Sequence, residues 1–114
     1  MTVSWTEEIL SDLLQANSHR LTVEEIQLAV AEYYNLRQSD LLSARRSRAV
    51  ARPRQVAMWL SKQLTTKSFP EIGRKFGGRD HTTVIHGVRK IEELREGDSV
   101  FLEEVERLRR LLGG

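Results

Sequence analysis

The chain of 114 residues contains no cysteine. Disulfide bonds, thiolate catalysis and cysteine-based zinc sites are therefore excluded together. No apolar run approaches the roughly 20 residues that a membrane-spanning helix needs. Glu7 and Glu8 stand where a secretory signal would carry basic residues. We therefore expect a cytoplasmic protein with no membrane segment, and the length suits one domain with a modest core.

Signatures of catalysis are also missing. The sequence contains no G-x-x-x-x-G-K-[ST] phosphate loop. His81 and His86 are five residues apart, so they do not form the i, i+4 pair of a helical zinc site. Asp80 and His81 are adjacent, and adjacent side chains on a helix diverge. We expect no enzymatic activity and no metal site in this chain.

Acidic residues are scarce in the middle of the chain. Residues 44–90 contain twelve basic and two acidic residues, a net charge of +10, whereas residues 1–43 carry −5 and residues 91–114 carry −3. Lys and Arg gain free energy on a phosphate backbone by releasing its counterions. A charge run more commonly marks a solvated face, but such a face usually mixes signs. The partition therefore indicates a nucleic-acid partner.

Strand patterns are absent as well, and helix start signals are frequent. Capping boxes begin at Ser4, Thr22 and Ser68, each followed three residues later by a glutamate. The second predicted helix ends near Tyr34, and Ser39 is predicted to cap a short turn. These signals predict an all-α fold, a small helical bundle.

A long helix is predicted from near Val50 to about Leu64. Pro53 would break a helix interior but is tolerated in a first turn, where N–H groups have no intrahelical partner. This placement leaves the arginines of residues 45–48 in the loop before the helix.

The order of a helix-turn-helix follows. A short helix after Ser68 ends at Gly77 and Gly78, and glycine is favoured just past a helix end. Asp80 then caps a second helix with a clear apolar face. Short helix, turn and second helix form a helix-turn-helix. A last amphipathic helix is capped by Asp98 or Ser99.

In a helix-turn-helix the first residues of the second helix contact base edges in the major groove. Here they are Asp80, His81, Thr82 and Thr83. A carboxylate accepts from cytosine, a threonine methyl packs on thymine, and hydroxyl and imidazole groups bond purine edges. The same residues would also serve as a plain N-cap and an ordinary first turn, so this segment alone decides little.

Basic residues surround this segment. Three of them lie in or beside the turn and favour a phosphate site: Arg74, Lys75 and Arg79. Three more lie in the loop before the long helix, where an arginine loop is suited to a narrow minor groove: Arg45, Arg46 and Arg48. The alternative for the loop is solubilising charge.

The strings ARPRQ at residues 51–55 and FGGRDHTTV at residues 76–84 carry a family resemblance. From about Leu21 to Leu94 the chain resembles the C-terminal DNA-binding domain of the bacterial replication initiator DnaA. The resemblance implies a helical bundle around a helix-turn-helix that binds the DnaA box, consensus TTATNCACA, at the replication origin. Two positions depart from the family pattern: Phe69 stands where Leu is usual, and Ala44 where Lys often begins the basic loop.

The resemblance also implies site residues. Base contacts are expected from Arg46 in the minor groove and, in the major groove, from Phe69, Pro70, Asp80, His81, Thr82 and Thr83. Phosphate contacts are expected from Arg45, Arg48, Arg54, Gln55, Lys62, His86 and Lys90.

The resemblance implies two parts to the chain. Residues 1–20 would be a linker helix from an ATPase domain absent here, and residues 21–114 the DNA-binding domain. ATP and magnesium would belong to the ATPase domain, so no cofactor is expected in this chain. We expect an isolated domain to bind double-stranded DNA as a monomer and to associate with the nucleoid.

Two alternatives remain open. A stand-alone regulator would keep this DNA-binding module without the ATPase, and the intact mass of the native gene product separates it from an initiator. A helical protein-interaction module would use the acidic first and last helices, with the basic middle incidental. Binding to a DnaA box compared with a scrambled duplex tests that second alternative.

Overall fold

A computed structural model describes residues 21–43 and 47–113 of the chain. These ranges contain six helices and no strand, which confirms the predicted all-α class. The predicted linker helix of residues 1–20, its capping box at Ser4, Arg45 and Arg46 lie outside the described residues. The helices are α1 (Val23–Tyr33), α2 (Gln38–Leu42), α3 (Arg48–Leu64), α4 (Phe69–Lys75), α5 (His81–Gly97) and α6 (Ser99–Leu111).

The core is centred on α3 and α5, which make the most extensive contact between helices. Trp59 and Leu60 of α3 and Ile91 of α5 are fully buried in it, and each such side chain stabilises the fold by about 1.5 to 3 kcal/mol. Gly87 lets the two helices approach closely, since a Cβ there would lie 3.3 Å from Met58 Sδ. The orientation of α5 is therefore set by α3.

Two of the predicted capping boxes are confirmed by reciprocal hydrogen bonds. At α1 the Glu25 backbone N–H donates to the Thr22 hydroxyl at 3.2 Å, and the Thr22 N–H donates to the Glu25 carboxylate at 2.9 Å. Ser68 and Glu71 form the same pair of bonds at the start of α4, at 3.3 Å and 3.0 Å. The start of the helix-turn-helix is thus encoded locally, by residues three apart.

The predicted cap at Ser39 is wrong. Helix α2 begins at Gln38, and Arg37 is the extended residue before it. The Arg37 backbone N–H donates to the Asp40 carboxylate at 3.0 Å. This bond anchors the helix start two residues earlier than a cap at Ser39 would. For the last helix, the predicted alternatives resolve to Asp98, whose carboxylate accepts the first free N–H groups.

The predicted start of the long helix is also wrong by two residues. Arg48 is the first residue of α3 rather than a loop residue, and Pro53 lies in the second turn. The backbone N–H groups of Val50 and Ala51 donate to the Ser47 carbonyl, at 3.0 and 2.7 Å, and Val50 is buried. Burial of Val50 therefore favours an extra turn before the proline, although Pro53 removes one helical hydrogen bond.

A buried glutamine connects three helices. The Gln27 side chain of α1 is only 1% exposed. Its amide donates to the Lys75 carbonyl at the end of α4, at 2.8 Å, and its carbonyl accepts from the Gln38 amide, also at 2.8 Å. Because both polar ends are satisfied, burial of this amide does not carry the penalty of an unpaired polar group. The network holds the first helix of the helix-turn-helix against α1 and α2.

Replacing Thr22 by alanine should lower the free energy of unfolding by about 1 kcal/mol, because the α1 N-cap loses its hydroxyl acceptor. Thr22→Ser keeps the acceptor and should stay close to the parent. Urea unfolding followed by circular dichroism measures both. Equal stability of the alanine and serine variants would show that the capping bond contributes nothing.

Candidate nucleic-acid interface

The turn of the helix-turn-helix is shaped by two glycines in the left-handed region. Gly77 has φ of 79° and Gly78 has φ of 75°, values that side chains with a Cβ disfavour. The Arg79 backbone N–H then donates to the Gly73 carbonyl of α4 at 2.8 Å. This bond closes the turn and directs the chain into α5.

The two glycines differ in their surroundings. A Cβ at Gly77 would overlap the carbonyl oxygen of Leu42, the last residue of α2. A Cβ at Gly78 would meet nothing within 4 Å. The turn is therefore packed backbone to backbone against the end of α2 at one glycine and open at the other.

Asp80 is the N-cap of α5, as predicted, and its carboxylate accepts from the Thr82 backbone N–H at 3.1 Å. Hydrogen bonds from Thr82, from its side chain and then its backbone, hold the pKa of the Asp80 carboxyl below its ordinary value. His81, Thr82 and Thr83 are all exposed. The first turn of α5 thus presents polar side chains at the positive end of a helix dipole, a position that favours anions.

Exposure divides α5 into two faces. The buried face, which contains Val84, Val88 and Ile91, belongs to the core that α5 forms with α3 and α4. On the opposite side Thr82, His86 and Arg89 are exposed and follow one another at i, i+4 and i+7, with Thr83 and Lys90 beside them. The structure therefore places four residues predicted for base or phosphate contact on the exposed side of α5: Thr82, Thr83, His86 and Lys90.

At the start of α4 the predicted residues Phe69 and Pro70 differ in burial. Phe69 is half-buried against the core, whereas Pro70 is exposed. The Lys62 ammonium of α3 lies 4.6 Å from the centre of the Phe69 ring, a favourable cation–π contact. The structure thus brings Lys62 and Phe69 together.

Besides Lys62, three more of the predicted phosphate contacts lie on α3. Arg48 is exposed in the first turn. Gln55 is half-buried, and its side-chain carbonyl accepts from the Arg52 guanidinium at 3.2 Å. Arg54 is only 7% exposed and donates to the carbonyls of Leu41 and Ser43, each at 2.9 Å. Arg48 therefore faces solvent, whereas Arg54 binds the end of α2. The prediction that Arg54 contacts a phosphate stays a prediction.

Arg79, which was expected from the sequence to favour a phosphate site, is half-buried in the structure, and that expectation stays a prediction. Its guanidinium donates to the Phe76 carbonyl at 2.5 Å and to the Ser43 carbonyl. Lys75, from the same expected cluster, pairs with Glu24 of α1 at 2.8 Å. Sequence reasoning missed both roles, because the partners lie 36 and 51 positions away along the chain. Arg74 and Lys75 both keep the expected exposed position.

Two further features, a metal site and a membrane-spanning helix, are not present among the described residues. No group of three or more histidine, aspartate or glutamate side chains among residues 21–43 and 47–113 is arranged to hold a metal ion. Nor does any helix in that part of the chain combine the length and hydrophobicity needed to cross a bilayer.

Comparisons with known proteins give one consistent result. A family model described as bacterial dnaA protein helix-turn-helix matches residues 23–91. Over its whole length the chain is 58% identical to the chromosomal replication initiator protein DnaA of Gluconobacter oxydans (strain 621H), and it covers 24% of that protein. It is 61% identical, over 94% of its length, to the protein of that name from Ruegeria sp. (strain TM1040), covering 23% of it.

A solved structure agrees with the sequence relatives. The crystal structure of a DNA replication initiation factor matches 94% of this chain with a TM-score of 0.74 and 30% sequence identity, and the match covers 33% of that chain. The present chain spans about a quarter of the length of the curated relatives it matches.

The two turn glycines should respond differently to alanine. Gly78→Ala should cost about 1 to 2 kcal/mol, the strain of a left-handed residue with a Cβ. Gly77→Ala carries the same strain and should cost about 1 to 3 kcal/mol more, because the Cβ must displace the Leu42 carbonyl. Urea unfolding of both variants measures the difference. Equal losses would mean that the turn does not pack on α2 as described.

Stability at low pH should depend on Asp80. Its pKa is lowered in the folded state, so its carboxylate stabilises the fold above the ordinary pKa of 3.8 and that contribution is lost as the pH falls further. Asp80→Asn keeps a capping oxygen without the titration. Urea unfolding between about pH 2 and pH 6 should show the parent losing more stability than the variant. Parallel curves would contradict this role.

Proposed function

Because this chain belongs to the family of bacterial DnaA helix-turn-helix domains, we propose that it binds double-stranded DNA sequence-specifically, at the DnaA boxes of a replication origin. The main support is the exposed first turn of α5. It projects His81, Thr82 and Thr83 from a helix that is held on its other side by the core. A rigid helix with an exposed polar start is what the major groove accepts.

Each residue of this turn has a distinct role in the proposal. The Thr82 and Thr83 methyl groups pack on thymine methyls, and their hydroxyls and the His81 imidazole bond purine edges. Asp80 accepts from cytosine N4 while one of its oxygens keeps the Thr82 N–H bond. Pro70 and the ring of Phe69 add contacts from the start of α4. Arg46, outside the described residues, contacts the minor groove.

Phosphate contacts flank the base contacts on both sides in this proposal. Arg48 begins α3 and Lys62 lies near its end, whereas His86 and Lys90 extend along the exposed face of α5. Such contacts position the protein on the duplex, and base contacts supply the sequence preference. The other predicted phosphate contacts in the proposed set are Arg54, the half-buried amide of Gln55, and Arg45, which lies outside the described residues.

The proposal extends to the longer protein to which such a domain would belong. Residues 1–20 would link an ATPase domain to the DNA-binding domain of residues 21–114, and ATP and magnesium would bind that other domain. The DNA-binding domain would bind as a monomer and carry out no reaction. The domain would be cytoplasmic and associated with the nucleoid.

Substitutions on α5 should separate base contacts from phosphate contacts. His81→Ala and Thr82→Ala should each weaken binding to the box by about 1 to 3 kcal/mol and change binding to a scrambled duplex little. Lys90→Gln should weaken binding to both duplexes alike and reduce the salt slope by about 0.9. Fluorescence anisotropy with labelled duplexes over a range of salt concentrations measures all three.

The parent protein should bind the box more tightly than the scrambled duplex. Equal affinity for the two would refute sequence-specific binding and favour the protein-interaction alternative. If His81→Ala or Thr82→Ala weakened both complexes equally, DNA binding would stand, but base contact by these residues would not.

A further inference from the structure

Two guanidinium groups meet on the last carbonyls of α2. Arg54 Nε donates to the Leu41 carbonyl, and Arg54 Nη2 to the Ser43 carbonyl, each at 2.9 Å. Arg79 Nη2 donates to the same Ser43 carbonyl, and Arg79 Nη1 lies 3.5 Å from the Leu42 carbonyl. We call this group of bonds the arginine clamp. It connects α2 to α3 through Arg54 and to the helix-turn-helix through Arg79.

The clamp meets a physical need of α2. This helix has only five residues, which is too short to be stable alone, and the carbonyls at a helix end lack intrahelical partners. The negative end of its dipole attracts cations. Burial lowers the pKa of both guanidinium groups, and for Arg54 the nearby Arg79 charge adds to the effect. Arginine remains charged in proteins, so the carbonyl oxygens must hold two like charges together.

A second, independent feature joins the same two places. The backbone of Gly77 approaches the Leu42 carbonyl so closely that a Cβ would overlap the oxygen. Phe76, whose carbonyl accepts from Arg79 at 2.5 Å, is itself fully buried. Packing and hydrogen bonding therefore both hold the turn against the end of α2.

Arg79 is fixed at both its ends. Its backbone N–H donates to the Gly73 carbonyl of α4, and its side chain binds the Ser43 carbonyl. The next residue, Asp80, is the N-cap of α5. Ser43, in turn, is four positions before Ser47, the N-cap of α3. One side chain thus connects the start of α5 to the chain that leads into α3.

From this geometry we propose that Arg79 is a positioning residue for DNA recognition: by clamping the end of α2 it fixes the first turn of α5 relative to the start of α3. The inference rests on the proposed function, since those two helix starts carry proposed base and phosphate contacts. Arg79 touches no phosphate in this proposal, in spite of its charge. Without the clamp the two sets of contacts are misaligned, so that the protein still binds DNA but discriminates less between sequences.

Salt dependence distinguishes this role from direct phosphate contact. Arg79→Gln should leave the salt slope on a scrambled duplex unchanged, whereas removal of a cation that neutralises a phosphate would reduce it by about 0.9. The preference for the box over the scrambled duplex should fall about tenfold, which is the discrimination that a single base pair typically supplies. Arg79→Lys should likewise keep the salt slope and lower the preference for the box. An ammonium cannot reproduce the planar guanidinium fork that reaches the Phe76 and Ser43 carbonyls.

Arg89 provides a matched control, since it is an exposed arginine of α5 within the proposed DNA-binding face. Arg89→Gln should reduce the salt slope, and Arg89→Lys should restore it, because a lysine serves a phosphate as a point charge. All variants are compared at a temperature where circular dichroism shows them fully folded. A variant that merely contained less folded protein would lose affinity for both duplexes equally and keep the preference.

The proposal is overturned if Arg79→Gln reduces the salt slope and Arg79→Lys restores it, since that is the behaviour of a phosphate contact. It is also overturned if both Arg79 variants keep the full preference for the box. If instead the parent protein shows no preference at all, the proposed function fails, and a measurement without DNA decides the clamp separately.

That measurement is a comparison of backbone amide NMR spectra of the free proteins. Arg79→Lys should shift the signals of residues 42, 43, 47 and 48, which lie far from position 79 in sequence but are connected to it by the clamp. Arg89→Lys should leave those signals in place. Unchanged signals in the Arg79 variant would show that the clamp does not couple the helix starts, whatever the DNA measurements give.

Discussion

The packing of α5 on α3 is the constraint on which the DNA-binding face depends. The apolar side chains of α5 recur at helical spacing and bury one face against α3, so the polar residues between them must turn outward. Gly87 brings the axes close at the level of Met58. Because the interior of a protein is close-packed, a shift of α5 along or around its axis would create voids in the core. The direction in which His81 and Thr82 project therefore depends on buried residues of the core.

Electrostatics then concentrates positive charge on that face. The acidic residues toward the two ends of the chain do not all form one exposed acidic surface, because several of their carboxylates pair with nearby groups. Glu104 of α6 accepts from the Tyr34 hydroxyl at 2.7 Å. Glu106 accepts from Arg95 at 3.0 Å, and the Arg95 guanidinium lies 4.5 Å from the centre of the Trp59 ring. These contacts attach α6 to α1, α3 and α5 through charged groups distant from the first turn of α5 in sequence.

The success of sequence reasoning depends on which interaction decides each helix boundary. Caps at Thr22, Ser68 and Asp80 were predicted correctly because each depends on a partner two or three residues away. The start of α3 was wrong because it is decided by burial of Val50 in the tertiary structure. The cap at Ser39 was wrong although the deciding bond, from Arg37 to Asp40, also spans three residues, because Arg37 is not one of the residue types that mark an N-cap. The exposed face of α5 was predicted correctly from the helical spacing of its apolar side chains. The assignments of individual residues to bases or phosphates came from helix-turn-helix geometry and from the family resemblance, and they stay predictions.

Arg79 shows why counting charges alone does not give the number of cations that are available to a polyanion. The twelve basic residues of positions 44–90 are not equivalent, since Arg54 and Arg79 donate to backbone carbonyls and Lys75 pairs with Glu24. A cation held in this way still contributes to the long-range field that attracts a polyanion. It releases no counterion at a phosphate that it does not touch. The basic segment therefore contains two kinds of positive charge: exposed cations such as Arg48 and Arg74, and cations such as Arg54 and Arg79 that bind other parts of the chain. The three-dimensional structure separates them.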